Sequence, residues 1–433
     1  MSVEPHDQLA PNVTDRTTTE RGLFRVARGF NPMAPAETID PYPTYARLRA
    51  STPVAFSEML GMWIVTGYEE VAAIIRDTDG FSSRIAVGTA VPPPEVADVL
   101  PDGYPESQPS LVNNDPPAHT RIRRLANTIF KPTAIAAREP QVTAIVDELI
   151  DTFIDDGRAD LYSALAVPLP LAVISQILGL PVEDAHLFEA WSNDQAALAV
   201  DILPHDQKVE RARHYAGLFR YAEALIARRR QDPGDDLFSS LVNASDDGGR
   251  PVLTDRELVS VFSQLLIAGN ETTRYLISSL VHLLLSHPAQ LAAVRRDPSL
   301  AARAVEEALR FHTSLRAMFR IADRDADIAG ARIRAGDVLA VVYGAANHDP
   351  AVFAAPDRFD IFRADVGRHI AFSKGTHFCL GAPLARLEAR VALQRLLKRL
   401  PELRLDEKSQ PPEFLANAFM FGRITLPVAW GAS

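Results

Sequence analysis

The chain runs to 433 residues, is 47% hydrophobic and 23% charged, and carries a formal net charge of −10. That balance supplies a large buried core, excludes a disordered chain, and argues against a nucleic-acid binder, which needs a basic face to neutralise phosphates. The single cysteine excludes an internal disulfide and fits a reducing compartment.

The opening stretch, MSVEPHDQLAPNVTDRTTTERG, is polar and lacks the apolar core of a signal peptide or membrane anchor. Residues 1–30 are therefore expected to form a disordered N-terminal segment. Residues 31–433 are expected to form a single domain, since no composition shift or Gly/Ser linker divides them. Within residues 39–78, DPYPTYARLRA reads as a helix, PVAFSEMLGMWIVTG as strand and YEEVAAIIRDT as a helix. Between Phe81 and Asn114 proline interrupts every period, which marks a loop of the length that covers functional sites. From Pro132 to Val242 helical periodicity dominates, broken at GRAD, GLPVED, DILPHD and QDPGDD.

The next run, LTDRELVSVFSQLLIAGNETTRYLISSLVHLLLSHP, predicts one long helix: Thr254 and Glu257 form a capping box and Pro288 closes it. It does not read as a membrane span, because Asn270, Glu271, Thr272, Thr273 and Arg274 lie in its middle. After Pro298 a helix through AARAVEEALRF gives way to DADIAGARIRAGDVLAVVYGAAN, whose alternation around Gly330 and Gly336 predicts short hairpin strands. The last helix follows Gly381. Helices outnumber strands and the strands are segregated, so the fold class is mainly α with small segregated β-sheets.

FSKGTHFCLG holds the lone cysteine, Cys379. Gly375 and Gly381 permit close backbone approach, and the helix from Pro383 presents its positive end to the sulfur, which favours a thiolate and hence a metal ligand. A thiol hydrolase with His377 as base is disfavoured, because catalytic Cys and His normally come from separate elements. A zinc site lacks a second cysteine or a compact His/Cys cluster. A small buried hydrophobe is the remaining alternative.

Phe372, Gly375, Cys379 and Gly381 match the Phe-x-x-Gly-x-x-x-Cys-x-Gly signature of the haem-thiolate monooxygenases. From about Asn31 onward the chain resembles the soluble bacterial type of the cytochrome P450 family. EALR resembles the family's Glu-x-x-Arg helix, with Glu307 and Arg310 on one face; a third arginine is expected to lock them, Arg358 in PDRF, with Arg363 as the fallback. AGNETT resembles the oxygen-binding groove, which sets Ala268 and Gly269 beside the cofactor and makes Glu271 and Thr272 the acid and alcohol of proton delivery. DPPAHTRIRRL resembles the helix whose His119 and Arg123 hold haem propionates, and Arg320 and His377 match two further propionate contacts. Ser373, Lys374, Asn270 and Ser314 depart from the family pattern without removing an essential group.

The resemblance implies a prism-like fold with haem b (iron protoporphyrin IX) between the long central helix and the cysteine loop, and Cys379 as the iron ligand. It implies insertion of one atom of dioxygen into a small apolar substrate by hydroxylation or epoxidation, the substrate being a secondary metabolite of terpenoid or polyketide type or a fatty acid. A cytoplasmic monomer is expected, away from membranes and nucleic acid, with electrons from a separate ferredoxin and ferredoxin reductase. Arg121, Arg124, Lys131 and Lys374 are expected to form the ferredoxin's basic docking patch. A peroxide-driven peroxygenase, which lacks the acid and alcohol pair, and a haem-binding sensor or carrier without turnover are the rival readings. By the same analogy the pocket is lined by the 82–112 loop, the 187–203 region, Leu265, Ala268, Leu315 to Phe319, Phe419, Met420 and Phe421. Arg316 within that stretch either anchors a substrate carboxylate or pairs with a propionate or an acidic neighbour.

Overall fold

The computed structural model describes residues 30–32, 34–87, 111–200, 203–406, 408–410, 412–415, 417 and 419–431. Residues 1–29 and the 88–110 part of the predicted cover loop therefore lie outside the described residues. Phe30, assigned to the disordered segment, is instead buried with its ring centroid 6.1 Å from that of Tyr45, so the packed chain includes it.

The chain opens with α1 (Pro35–Ile39), α2 (Tyr42–Ser51), β1 (Val54–Ser57), β2 (Met62–Val65), α3 (Tyr68–Arg76) and β3 (Phe81–Ser82). The predicted single strand stretch is thus a hairpin, because Gly61 at φ +65° turns the chain between two apolar runs. The helical region holds α4 (Ala118–Ala126), α5 (Pro132–Ala136), α6 (Glu139–Asp151), β4 (Arg158–Asp160), α7 (Pro168–Leu178), α8 (Ala185–Val200), α9 (His205–Gln231) and α10 (Leu237–Val242). The predicted breaks separate these elements, and GRAD supplies the short strand β4.

The long predicted helix is α11 (Asp255–Leu285). Its capping box is present: the Thr254 hydroxyl accepts the Glu257 N–H at 3.2 Å and the Glu257 carboxylate accepts the Thr254 N–H at 2.8 Å. α12 (Pro288–Arg296), α13 (Ala301–Phe311), β5 (Ala317–Ala322), β6 (Ala326–Ile328), β7 (Ala331–Ile333) and β8 (Val338–Val342) follow. The chain closes with α14 (Tyr343–Ala346), α15 (Ala382–Arg399), β9 (Arg404–Leu405) and β10 (Pro427–Ala429).

α11 is the axis of the largest core cluster: α7, α9, α13 and α15 pack around it, which explains why it is apolar on most faces. No single helix among the described residues is long and apolar enough to cross a membrane. The largest sheet runs β1-β2-β8-β5-β3, with β2 and β8 parallel, and it covers a second core with α3 and α14. β4-β10-β9 and β6-β7 are the remaining small sheets. The molecule is mainly helical with small separate sheets, as predicted.

Glu307 and Arg310 on α13 have fully buried side chains, with Arg310 Nε 2.8 Å from one carboxylate oxygen and Nη2 2.8 Å from the other. The third arginine is Arg363, not Arg358: Arg363 Nε lies 3.3 Å from Glu307 Oε1. Arg358 is exposed and contributes only its carbonyl, which accepts from Arg310 and Arg363. The physical reason is that only Arg363 follows a segment whose backbone already enters the core, through buried Phe359 and Ile361.

Candidate active site

Cys379 sits between a turn of short helix and the start of α15. Its N–H donates to the Phe372 carbonyl at 2.9 Å, closing the loop, and Gly375 takes φ +68°, a left-handed value that L side chains resist. Ser373 occupies the same region at φ +60°, with its N–H on the Ile370 carbonyl at 2.9 Å. A Cβ on Gly381 would meet no described atom within 4 Å, so the space beside the sulfur is left open by the protein.

Burial pushes the Cys379 thiol up, against the pull of the Gly381 and Ala382 N–H groups and the Arg123 and Arg386 guanidiniums. The N–H groups at the helix start thus favour the thiolate in the expected direction, and burial outweighs them. Among the described residues no group of three or more His, Cys, Asp or Glu side chains converges on a metal position. Cys379 therefore suits an ion whose other ligands come from a cofactor. His377 is not aimed at the sulfur as a base; its ring lies 4.3 Å, centroid to centroid, from that of His119.

The residues expected at the propionates gather two arginines, Arg123 and Arg320, and two imidazoles, His119 and His377, that burial keeps neutral. His119 and Arg123 share a face of α4 at i and i+4, and α4 is tied to β3 because Asp115 accepts the Ser83 N–H at 2.8 Å. His119 is buried with both ring nitrogens unpartnered, and His377 Nε2 is buried and unpartnered too. Arg320, 2% exposed on β5, donates to the Phe319 carbonyl at 2.7 Å and forms no ion pair among the described residues. Arg123 donates to the Phe378 carbonyl at 2.7 Å and to Asn127 at 2.9 Å, which pins α4 to the cysteine loop. Burial, then the charges of His119, Arg320 and Arg123, hold His377 down at about 3. Burial and Arg123 likewise lower His119, opposed by Asp115. Convergent cations with orphaned buried donors fit an anionic group, and the two carboxylates of haem match that need.

On α11, Ala268 is exposed midway along a helix buried on most sides, so this turn faces open space. Thr272 lies one turn on, half-buried, with its hydroxyl donating back to the Ala268 carbonyl at 3.2 Å. Gly269 corrects the expectation of a cofactor contact: its Cβ direction faces Ile174 of α7 at 3.1 Å, so the glycine serves helix packing. Glu271 is buried and turned away from Thr272. Its carboxylate pairs with Arg274 and accepts the Tyr275 hydroxyl at 3.4 Å. Burial raises the Glu271 carboxyl, while Arg274 and Tyr275 pull against that shift. Arg274 also donates to Asn193 of α8 at 3.3 Å and lies over the Tyr162 ring at 6.0 Å. Tyr162, Arg274 and Tyr275 lie outside the expected site residues, while Asn193 falls in the expected 187–203 lining; a charge inside an apolar run was the available signal for Arg274.

The apolar wall includes Leu265, buried on α11, half-buried Leu315, which bridges to Met420, and Phe319, whose ring is 4.9 Å from that of Phe419. Arg316 corrects its assignment to the pocket. It is fully buried, donates to the Thr38 and Ile39 carbonyls at 2.6 and 3.1 Å, and stacks 4.3 Å over the Phe421 ring. It anchors the N-terminal segment and forms no ion pair among the described residues. Arg121 likewise leaves the expected surface patch, donating to the Val252 carbonyl and to Glu257 at the start of α11. Lys374 is drawn in by the Tyr68 hydroxyl at 2.5 Å, while Arg124 and Lys131 stay exposed, as does Phe378.

Behind the cysteine loop, Glu306 of α13 binds Arg386 of α15 through Nε at 2.6 Å and Nη2 at 2.9 Å, and lies 2.9 Å from His369 Nε2. Arg386 in turn lies 4.6 Å over the Phe372 ring. Burial alone would raise the Glu306 carboxyl, but the His369 and Arg386 hydrogen bonds hold it down at about 2. A depressed carboxyl stabilises the fold fully above its ordinary range and loses that contribution as pH falls through the folded value. Glu306→Gln is therefore expected to lower the urea midpoint at pH 7, with the gap to the parent closing between about pH 4.5 and about pH 2. A gap that stays constant over that window, measured by urea melts in stepped buffers, would refute the assignment.

A sequence model of the family described as Cytochrome P450 matches residues 185–430. The cytochrome P450 monooxygenase PikC of Streptomyces venezuelae is 40% identical over 397 residues, which cover 90% of this chain and 91% of the relative. The 6-deoxyerythronolide B hydroxylase of Saccharopolyspora erythraea is 37% identical over 399 residues, 90% of this chain and 96% of the relative. The solved structure of cytochrome P450 CREJ in complex with (4-ethylphenyl) dihydrogen phosphate superposes with a TM-score of 0.86 and 32% identity, covering 94% of this chain and 100% of that one. Sequence, fold and the cysteine loop agree: the chain belongs to the bacterial cytochrome P450 family of monooxygenases.

Proposed function

We propose that this enzyme inserts one oxygen atom into a neutral, apolar secondary metabolite, using haem b held by Cys379 and electrons from a separate ferredoxin and reductase. The observation that carries the reading is the set of buried polar groups gathered near the cysteine loop: the His119 and His377 nitrogens without partners, and Arg320 without an ion pair, among the described residues. The exposed Ala268 turn with Thr272 on α11 adds to it. When bound, the haem supplies oxygen activation, with the thiolate ligand donating electron density.

The chain's own residues then have separable tasks. Cys379 holds the iron; His119, Arg123, Arg320 and His377 are read as the propionate partners. The Thr272 hydroxyl, held by the Ala268 carbonyl, hands on a proton at Oγ1, and Glu271 is the buried acid behind it. Leu265, Ala268, Leu315, Phe319, Phe419 and Met420 bind an apolar body and exclude water. With Arg316 committed to backbone carbonyls, this wall offers no free cation from that residue, which favours a neutral substrate over a carboxylate. The 6-deoxyerythronolide B named for one relative is a compound of the kind to try first. Exposed Arg124 and Lys131 are read as the reduced core of the ferredoxin patch.

The test is reconstitution of the haem-loaded enzyme with ferredoxin, reductase and NADPH, after a spin-state titration with paired acids and methyl esters. Esters are expected to bind where acids fail, and ferredoxin-supported turnover to fall with salt. Thr272→Ala is expected to lower product per NADPH about 10-fold, on the scale of a lost proton-transfer group. Full coupling in that variant would count against the role given to Thr272; product with hydrogen peroxide but none with NADPH would support the peroxide-driven reading, and haem binding without any product would support a sensor or carrier.

A further inference from the structure

Glu271 is held by a side chain that also touches a distant wall of the site. Phe414 and Leu415 run against Gly422 and Arg423: Phe414 bridges to Arg423 and the Leu415 N–H donates to the Gly422 carbonyl at 2.9 Å, with Phe419 and Met420 on the same stretch. That stretch is joined to the segment before β5 by the Leu315 to Met420 bridge, and the Arg316 N–H donates to the Phe419 carbonyl at 2.7 Å. Gly422 lies directly on α11. A Cβ at Gly422 would fall 2.0 Å from Tyr275 Cδ1 and 2.3 Å from Cγ, so the Tyr275 ring packs flush against bare backbone there. The Ser278 hydroxyl continues the seam by donating to the Arg423 carbonyl at 3.3 Å.

The other end of Tyr275 is its hydroxyl, 3.4 Å from Glu271 Oε2 and 3.2 Å from Arg274 Nη2. A 3.4 Å bond is long and weak, so a small ring displacement breaks it. Among the described residues the ring's aromatic neighbour is Tyr162, stacked at 6.4 Å and 9° between planes. Arg274 closes the carboxylate's opposite side and is itself tied to Asn193 of α8.

Resting on the reading of Glu271 as the proton-delivering acid, we propose that Tyr275 is a positioning residue that transmits occupancy of the pocket, sensed at the 419–422 turn, to the Glu271 carboxyl. A molecule packed on Phe419 and Met420 loads the turn; Gly422 passes that load to the Tyr275 ring; the hydroxyl moves relative to Glu271 and changes how firmly the carboxyl is kept at Arg274. The ligand acts only through its different contacts with the two turn positions, as any population shift requires. Gly422 is the residue that makes the contact direct, since any side chain there would hold the turn off the ring.

The experiment follows the Glu271 carboxyl by infrared difference spectroscopy of the holoenzyme on binding 4-phenylimidazole, a probe that fills the space above the iron. Glu271→Gln identifies the band. The parent is expected to show a Glu271 band that shifts on binding. Tyr275→Phe, which keeps the ring and removes the hydroxyl, and Gly422→Ala, which displaces the ring, are both expected to lose that shift while still binding the probe. If Gly422→Ala fails to fold, Tyr275→Phe alone carries the test. A band that does not move in the parent, or a shift that survives both substitutions, overturns the proposal. The result is independent of the coupling assay: full coupling in Thr272→Ala sinks the acid and alcohol reading, whereas a surviving infrared shift sinks the link through Tyr275.

Discussion

Replacing Cys379 by serine is expected to leave a folded protein without monooxygenase activity. The loop is closed by backbone groups, the Cys379 N–H on the Phe372 carbonyl and the Phe378 N–H on the Gly375 carbonyl, and neither involves the sulfur. The substitution is close to isosteric, so the melting temperature of the haem-free chain should change little. The electrostatics change much more. Burial already opposes ionisation of the thiol, and a serine hydroxyl ionises far less readily, so a negatively charged ligand is no longer available at this position. Electron donation to the iron is lost with it. Product formation is expected to fall by roughly 1,000-fold or more, the scale on which loss of an essential reacting group acts. The reduced carbonmonoxy form should lose its thiolate absorption. A serine variant that kept either property would show that another group ligates the iron.

The cysteine loop could be read directly because its demands are local: a left-handed turn at Gly375, a sulfur, and a helix start follow one another within a few residues. The capping box of α11 is equally local, and its burial followed from apolar residues on nearly every face. What could not be read depends on where a side chain goes after the backbone turns. Arg358 and Arg363 both follow Pro356 in an irregular segment with no period to orient them, and only the fold shows that the first points to solvent. Arg316 lies just before β5, and its backbone is bonded to Phe419 and Gly344. Those bonds turn it toward α1 rather than along the strand face that carries Arg320. Gly269 sits in a motif associated with the cofactor, yet the approach of α7 decides its role. The Glu271 network draws on Tyr162 in the π-helical turn before α7, on α8 and on α11, and such tertiary convergence leaves no pattern in one sequence.

Arg310→Leu is expected to be the most damaging substitution to the fold itself. The guanidinium makes two 2.8 Å bonds to Glu307 and donates to the carbonyls of Asn347, Pro356 and Arg358 at 2.9, 2.8 and 3.1 Å. Its removal strips three carbonyls of a donor and leaves the Glu307 carboxylate, also fully buried, with Arg363 as its remaining cation at 3.3 Å. Breaking a buried pair in this way costs about 3–5 kcal/mol. Domains of ordinary stability hold only about 5–15 kcal/mol in total. The variant should therefore be recovered mostly unfolded or free of haem, because the segment it ties down leads through Ile370 to the cysteine loop. The companion variant Glu307→Leu/Arg310→Leu separates charge from scaffolding. With no stranded carboxylate it should regain part of the loss in urea melts, yet not all of it, since the Asn347 and Pro356 carbonyls still lack their guanidinium and Arg363 and the Asp360 N–H lose Glu307. An Arg310→Leu enzyme within about 1 kcal/mol of the parent would mean that water replaces the guanidinium at these carbonyls, and the Glu307, Arg310 and Arg363 cluster would then be a consequence of the fold rather than its support.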